Sequence, residues 1–257
     1  MVDNLLLKNF KEKLKNAEVV IGPFMKASDP AFVETAGYAG FDFVILDMEH
    51  GPCTVETMQN LVRAAVISGS VPIIRTPDSS EESIGKALDI GAFGVQVPQV
   101  KNAFQAEEII KKAKFFPKGE RGVCRFVRAA DYSAQDKSDY FKSANEAMVI
   151  LQLEGKEAIE NLEEIMHVDG IDIIFIGPYD LSQSLGVPGE INNPKVIEKI
   201  SYIIEKAKEK GIVVGTFIDN MEAVKTWKEQ GILYLSYSVD VGIFFQACKN
   251  IVSLVSN

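Results

Sequence analysis

Residues 43–75 read FVILDMEHGPCTVETMQNLVRAAVISGSVPIIR. The segment opens with FVILD (43–47) and closes with VPIIR (71–75), two short runs of branched apolar residues that are typical of buried strands. Between them, residues 54–68 repeat apolar side chains at helical spacing. A strand, a helix and a second strand in this order predict two parallel strands joined by a helical crossover.

The same alternation extends over the whole chain of 257 residues. Six more apolar runs are predicted strands: 19–24, 93–98, 148–154, 171–177, 212–217 and 233–237. Further helical patterns lie at 3–16, 80–90, 101–115, 155–166, 194–209, 219–230 and 240–255. Eight parallel strands favour a closed (β/α)8 TIM barrel over an open sheet, and the first pattern adds an N-terminal helix. Residues 1–257 are therefore predicted to form a single domain.

Composition narrows the class of partner. The net charge of −9 argues against a nucleic-acid partner and against an anionic membrane surface. The N-terminal residues lack the cationic and apolar regions of a signal peptide, and no apolar run reaches the ~20 residues of a membrane helix. The three scattered cysteines lack metal-binding spacing and predict reduced thiols. We therefore expect a cytoplasmic protein that acts on small molecules.

Polar side chains follow the predicted strands where an active site would lie in such a barrel, at the carboxyl ends. Asp47 ends its strand, with His50 just beyond, and Arg75 ends the next strand. An imidazole suits proton transfer near neutral pH, although a helix-capping or buried structural histidine is the alternative. A guanidinium at a strand end can hold a carboxylate or an enolate oxygen, or pair with Asp47 or Glu49 instead. Phe24 ends the first strand.

Two carboxylates from adjacent strands predict a metal site. Glu154 and Asp180 can meet on one cation, and hard oxygen ligands suit Mg²⁺, Mn²⁺ or a similar divalent ion. Strand alternation places Gln152 and Glu154 on the same inward face. A salt-bridging surface pair is the alternative. A Schiff-base mechanism would need a lysine at a strand end, and only Lys26 and Lys156 come close, each just past a strand.

The turn after the sixth strand, GPYDLS (177–182), predicts a helix start with Asp180 as its cap. Free backbone N–H groups at such a start bind anions well, including the carboxylate of a 2-oxo acid.

Residues 116–146 break the alternation and carry Arg121, Arg125 and Arg128. Long excursions in compact domains usually form lids or binding loops, so we expect this one to shape the site or a subunit interface. A surface insertion is the alternative.

Several motifs together resemble the HpcH/HpaI aldolase family, the metal-dependent class II pyruvate aldolases. They are FDFVILDMEHGP, VPIIRTP, ALDIGAFGVQVPQV, FPKGERGV, LQLEGKEAIENLEEI and GIDIIFIGPYDLSQSLG. The resemblance implies a (β/α)8 barrel whose last helix is exchanged between subunits, in a homohexamer built as a trimer of dimers. It also implies an aldolase that uses Mg²⁺, Mn²⁺ or Co²⁺ and cleaves a 4-hydroxy-2-oxo acid to pyruvate and an aldehyde through a metal-stabilised pyruvate enolate.

The resemblance also assigns roles to residues. Glu154 and Asp180 would be the metal ligands. The catalytic set would be His50 as a base acting through water, Asp89 from a neighbouring subunit raising the basicity of His50, Arg75 stabilising the enolate, and Asp47. The substrate pocket would be formed by Gln152, Gly177, Phe24 and the amides of Tyr179 and Asp180. Tyr179 replaces a small residue and HGPC replaces HAPN, so the aldehyde stays open.

Two alternatives to this aldolase remain open. The first is a related lyase that acts on a CoA thioester or a phosphonate-type 2-oxo acid. The acidic composition offers no obvious basic groove for a CoA nucleotide. The second is a non-catalytic barrel that binds a metabolite.

Overall fold

A computed structural model of the chain describes residues 2–255. Its eight parallel strands form a closed barrel in which each strand pairs with its sequence neighbours and the last pairs with the first. The strands are β1 (Val20–Met25), β2 (Phe43–Asp47), β3 (Val71–Arg75), β4 (Gly94–Val97), β5 (Met148–Leu153), β6 (Ile173–Ile176), β7 (Val213–Ile218) and β8 (Tyr234–Val239). The predicted TIM barrel is confirmed.

Helices surround this barrel. They are α1 (Val2–Lys15), α2 (Pro30–Tyr38), α3 (Val55–Ile67), α4 (Glu81–Asp89), α5 (Ala103–Ala113), α6 (Lys137–Ala144), α7 (Gly155–Glu160), α8 (Leu162–Met166), α9 (Pro178–Ser184), α10 (Pro194–Glu209), α11 (Met221–Glu229) and α12 (Asp240–Val255), with a 3-10 helix at Arg128–Ser133. None of the helices within residues 2–255 combines the length and apolar character needed to cross a membrane.

Alternation along the strands produces two apolar layers. One layer fills the barrel interior and includes Phe43, Ile45, Ile73, Ile150, Phe175 and Tyr234. The other packs under the surrounding helices and includes Val44, Leu46, Ile74, Val149 and Ile174. Because both faces of these strands are buried, the sequence shows continuous apolar runs rather than alternating ones.

Helix α1 covers the amino end of the barrel. Phe10 and Leu14 are buried within the interior cluster, and the ring of Phe10 lies 5.9 Å from that of Phe43 at the start of β2. The amino end is therefore closed by apolar contacts, and the polar strand ends gather at the opposite, carboxyl end.

Outside residues 116–146, where the unpredicted α6 and 3-10 helix lie, the described helices differ from the sequence prediction in two places. The predicted helix at 155–166 is divided into α7 and α8, because Asn161 leaves helical geometry and its side chain donates to the carbonyl of Lys101 at 2.9 Å. Helix α2 was not predicted, although its start carries a clear signal. Asp29 caps the N–H of Ala31, and Pro30 occupies the first helical position.

The excursion at 116–146 lies between α5 and β5, at the amino end of the barrel strands. Its contacts agree with this position, since Glu146 pairs with Lys11 of α1 at 3.3 Å and Tyr132 accepts from Arg63 of α3 at 3.2 Å. Within one chain the excursion is therefore remote from the carboxyl ends of the strands. Its predicted role in the site or an interface stays a prediction that requires a neighbouring copy.

Candidate active site

A buried ion pair between β2 and β3 lies at the centre of the carboxyl rim. Asp47 and Arg75 are partners in the strand register, and Arg75 donates from Nε at 2.8 Å and from Nη2 at 2.7 Å. Burial opposes the ionisation of Asp47, but the hydrogen bonds and charge of Arg75 outweigh it and lower the pKa of Asp47 below its ordinary value. Nη1 of Arg75 also lies 2.9 Å from Oε2 of Glu49, so Arg75 pairs with both acids.

The turn after β2 is built around the same aspartate. Oδ1 of Asp47 accepts from the N–H groups of Glu49 at 3.1 Å and His50 at 3.2 Å. The turn is so tight that a Cβ on Gly51 would collide with the carbonyl oxygen of Asp47. The turn residues therefore have a fixed backbone, and glycine is required at its end.

His50 projects from this turn into the mouth of the barrel. Its side chain is 63% exposed, and Nε2 lies 3.8 Å from Oε2 of Glu49. The cap of the following helix, α3, is Thr54. His50 is therefore neither buried nor the cap, and its predicted role as a base stays open for test.

Glu154 lies at the same carboxyl end of the barrel, directly after β5. A chain of amides leads to it: Gln96 donates to Oε1 of Gln152 at 2.6 Å, and Gln152 donates to Glu154. The pKa of Glu154 is raised, mainly by burial, while the hydrogen bond from Gln152 opposes the shift. The carboxylates of Glu49 and Asp180 raise this pKa further, so Glu154 lies in the field of two other acids.

These carboxylates fit a divalent cation. A cation would remove the mutual repulsion of Glu154 and Asp180, and carboxylate oxygens are the ligands that Mg²⁺ prefers. Within residues 5–255, no three His, Cys, Asp or Glu side chains group closely enough to hold a metal by themselves. The protein would therefore supply two ligands, which leaves positions for substrate and water.

The start of α9 lies beside these acids. Gly177 occupies the cap position and Asp180 lies in the first turn, which corrects the prediction of Asp180 as cap. The carboxylate of Asp180 folds back over Gly177, where a Cβ would collide with it. Tyr179 is 44% exposed, and its hydroxyl donates to Asp219 at 3.0 Å, which joins α9 to the turn after β7.

The ring of Phe24 packs against the guanidinium of Arg75. The guanidinium of Arg75 lies 4.6 Å from the centre of the Phe24 ring, a cation–π contact. The ring itself is buried against Phe175 and Phe217, at centroid distances of 6.2 and 6.1 Å. The structure therefore places Phe24 beneath the rim, next to Arg75.

Asp89 lies apart from the other predicted site residues. It ends α4, toward the amino end of the barrel, and pairs with the buried Arg121 at 2.5 Å. Within one chain it is remote from His50, which stands at the carboxyl end. Its predicted role at a neighbour's site remains a prediction.

Two glutamines of the rim were missed in the sequence. Gln96 is fully buried on β4 and orients Gln152, and Gln99 donates to Oε1 of Glu49 at 3.2 Å. Gln96 lies within FGVQVP (93–98), and Gln99 directly follows it. The sequence predicts a strand for this segment but assigns no role to its glutamines. Gln96 is the one amide in this apolar strand, and its inward position could have indicated a role at the site.

In TIM-barrel enzymes the active site lies at the carboxyl ends of the strands, and this chain carries a group of polar side chains there. The fold and the site therefore place the chain in the class of TIM-barrel enzymes. The family model described as HpcH/HpaI aldolase/citrate lyase matches residues 21–247. The chain therefore belongs to the HpcH/HpaI aldolase/citrate lyase family, and the resemblance noted in its motifs is confirmed.

Individual relatives agree with this family. The chain is 34% identical over 247 residues to 2-keto-3-deoxy-L-rhamnonate aldolase of Escherichia coli (strain K12), covering 95% of this chain and 92% of that protein. The crystal structure of an HpcH/HpaI aldolase from Desulfitobacterium hafniense DCB-2 is similar, with a TM-score of 0.89, 30% identity and 96% coverage of both chains. Citrate synthase SbnG gives a TM-score of 0.84, 30% identity and 96% coverage of both chains. The predicted enzyme class, carbon–carbon lyase, is that of the aldolases among these relatives.

Proposed function

We propose that this protein is a divalent-metal-dependent aldolase that cleaves a 4-hydroxy-2-oxo acid to pyruvate and an aldehyde. The observation that carries the proposal is the position of Glu154, which interacts electrostatically with Asp180, Glu49 and Arg75, the partner of Asp47. Its aldolase relatives support the same chemistry.

The acids on β5 and α9 would hold the cation. Mg²⁺, Mn²⁺ or Co²⁺ bound by Glu154 and Asp180 would supply positive charge to the oxygens of the 2-oxo acid. The first-turn N–H groups of Tyr179 and Asp180 have no partner within their helix and would donate hydrogen bonds to the substrate carboxylate. Gln152 already donates to Glu154 and thereby fixes the orientation of that carboxylate.

His50 would remove a proton from the substrate, and Arg75 would stabilise the enolate that forms when the C3–C4 bond breaks. The exposed imidazole of His50 takes the proton of the C4 hydroxyl through water. The electrons of the C3–C4 bond then pass to the 2-oxo acid fragment, and the aldehyde leaves. Arg75, held by Asp47 and Phe24, stabilises the resulting enolate, which becomes pyruvate when C3 is protonated.

An oligomer is part of the proposal, and helix α12 supports it. The helix carries large apolar side chains that its own chain leaves exposed, namely Phe244, Phe245, Ile251 and Leu254 at 59, 65, 64 and 82%. Of its residues, only Asp240 is buried within the described chain. A patch of this kind marks an interface, which agrees with exchange of the last helix in a hexamer. The cytoplasm stays the predicted location.

Exchange of the pyruvate methyl protons with D2O tests the proposal without knowledge of the aldehyde. We expect proton NMR to show exchange that requires a divalent ion, stops in chelator and is lost in Glu154→Gln. The wild-type protein with Mg²⁺, Mn²⁺ and Co²⁺ in turn identifies the metal. Absence of exchange with every ion would favour the metabolite-binding barrel instead.

A further inference from the structure

Lys26 directly follows β1 and continues the inward-facing row of that strand. Val20 and Phe24 face the interior, and alternation places residue 26 on the same side. The register pairs Met25 with Leu46, which brings Lys26 beside Asp47, and its Nζ lies 3.8 Å from Oδ2. A cation, an anion and a second cation, Arg75, therefore stand in a row on three neighbouring strands.

Asp47 does not depend on this lysine. Its carboxylate already accepts two hydrogen bonds from Arg75 and two from the N–H groups of the turn. A separation of 3.8 Å is too long for a hydrogen bond. Among residues 5–255, no acceptor takes a hydrogen bond from the ammonium of Lys26, so its three donors remain available.

The backbone that carries Lys26 is held in place. The buried carboxylate of Asp240 accepts from the N–H groups of Lys26 at 3.0 Å and Ala27 at 2.8 Å. The thiol of Cys53 lies 3.8 Å from the carbonyl oxygen of Lys26. The side chain is only 30% exposed, so this lysine is more constrained than a surface lysine.

The position of Lys26 in the barrel decides which end of a substrate it can reach. The proposed cation ligands, Glu154 and Asp180, follow β5 and β6, whereas Lys26 follows β1 on the opposite side of the closed ring. A substrate with its 2-oxo acid end at these acids and its C4 hydroxyl at His50, which follows β2, can place its aldehyde end near Lys26. The carboxylates of the rim would repel an anionic group there unless a cation received it.

We propose that Lys26 is a specificity-determining residue that binds an anionic group, a carboxylate or a phosphate, at the aldehyde end of the substrate. The inference rests on the proposed aldolase function. It makes acidic aldehydes the preferred partners of pyruvate.

The test compares charged and uncharged aldehydes in condensation with pyruvate. Succinic semialdehyde is paired with butanal, and D-glyceraldehyde 3-phosphate with D-glyceraldehyde, so that the two pairs distinguish a carboxylate from a phosphate. We expect the wild-type enzyme to give the higher kcat/KM with the charged member of one pair. Lys26→Gln should reduce that preference about 10- to 100-fold, the usual worth of a hydrogen bond to a charged group.

Two further variants make the test specific. Lys26→Arg keeps the charge and should retain most of the preference, and Lys26→Met replaces Lys26→Gln if that variant fails to fold. Lys8→Gln removes an equal charge from exposed α1 at the amino end and should behave as wild type.

The outcomes separate this inference from the proposed function. Equal loss of kcat/KM for charged and uncharged aldehydes, or an unchanged preference, would show that Lys26 only maintains structure. A wild-type enzyme without preference in either pair would also overturn the inference, as would borohydride reduction of pyruvate onto Lys26, which would make it a nucleophile. If the wild type neither exchanges pyruvate protons nor condenses any aldehyde, the proposed function itself fails, and the inference with it.

Discussion

Arg75 binds the buried carboxylate of Asp47 through two hydrogen bonds, from Nε at 2.8 Å and from Nη2 at 2.7 Å. This bidentate geometry fixes the plane of the guanidinium over the ring of Phe24 and leaves Nη1 facing Glu49. The guanidinium of Arg75 at the carboxyl end of the barrel is therefore oriented by Asp47, which is fully buried. Asp47 acts as a positioning residue for Arg75 as well as for the turn that carries His50.

Replacing the aspartate should destabilise the protein. Asp47→Asn leaves Arg75 buried with a weaker partner, and we expect the free energy of unfolding to fall by about 3 kcal/mol in urea titrations.

The effect of this replacement should also depend on pH. The folded-state pKa of Asp47 is lowered, so the contribution of its carboxylate to stability is complete above the unfolded pKa of about 3.9 and is lost as the pH falls through the folded value. The variant should therefore lose less stability than wild type on acidification below pH ~4. Equal acid sensitivity would contradict this account.

Removing the acid at 154 should have the opposite effect on stability. The raised folded-state pKa of Glu154 means that the metal-free protein loses stability as the pH rises from the unfolded pKa of about 4.3 through the folded value. Glu154→Gln should therefore raise the Tm of the protein in chelator at pH 7 while it abolishes activity. The increase in Tm that wild type shows with Mg²⁺ or Mn²⁺ should disappear. A Glu154→Gln variant that is less stable in chelator than wild type would contradict the destabilising effect of the Glu154 carboxylate.

The strand and helix periods predicted the barrel because both strand faces are buried and nearly all strands carry continuous apolar runs. Strand ends also located most of the site, since residues such as Asp47, Arg75 and Glu154 are far apart in sequence but meet on one rim. The sequence indicates Lys26 only as a possible nucleophile, because its proximity to Asp47 depends on the register between β1 and β2, which no local pattern reveals.

Other features depend on contacts that a single sequence does not encode locally. The side of the barrel on which residues 116–146 lie follows from their place before β5, not from their arginines. Gln96 acts through Gln152, and the 2.6 Å hydrogen bond between the two amides joins residues that are far apart in the sequence. The predicted role of Asp89 would require a second copy of the chain.

A buried lysine at the amino end predicts an alkaline dependence of stability. Burial lowers the pKa of Lys114 to about 8, although its ammonium donates to the carbonyl groups of Asn145 and Ala147. Between pH 8 and about 10.4 the unfolded chain binds the extra proton, so this group makes wild type more stable as the pH rises. Relative to Lys114→Met, wild type should gain at most about 1.4 kcal/mol per pH unit in urea titrations. Lys8→Met on exposed α1 serves as the control, and a gap that stays constant with pH would refute the assignment.

Helix α12 should hold the oligomer together through its exposed apolar face. Phe245 is 65% exposed on α12, and a charge there would be buried in an interface with a neighbouring copy. Phe245→Glu should therefore shift the mass measured by light scattering from a hexamer to smaller species. If Asp89 acts at a neighbour's site as predicted, the same variant should also lower activity. Phe104→Glu replaces an equally exposed phenylalanine on α5, at 70%, and should leave mass and activity unchanged. A monomeric wild type would exclude the assembly and make Asp89 a residue of its own chain alone, and equal dissociation of both variants would show that the effect is not specific to α12.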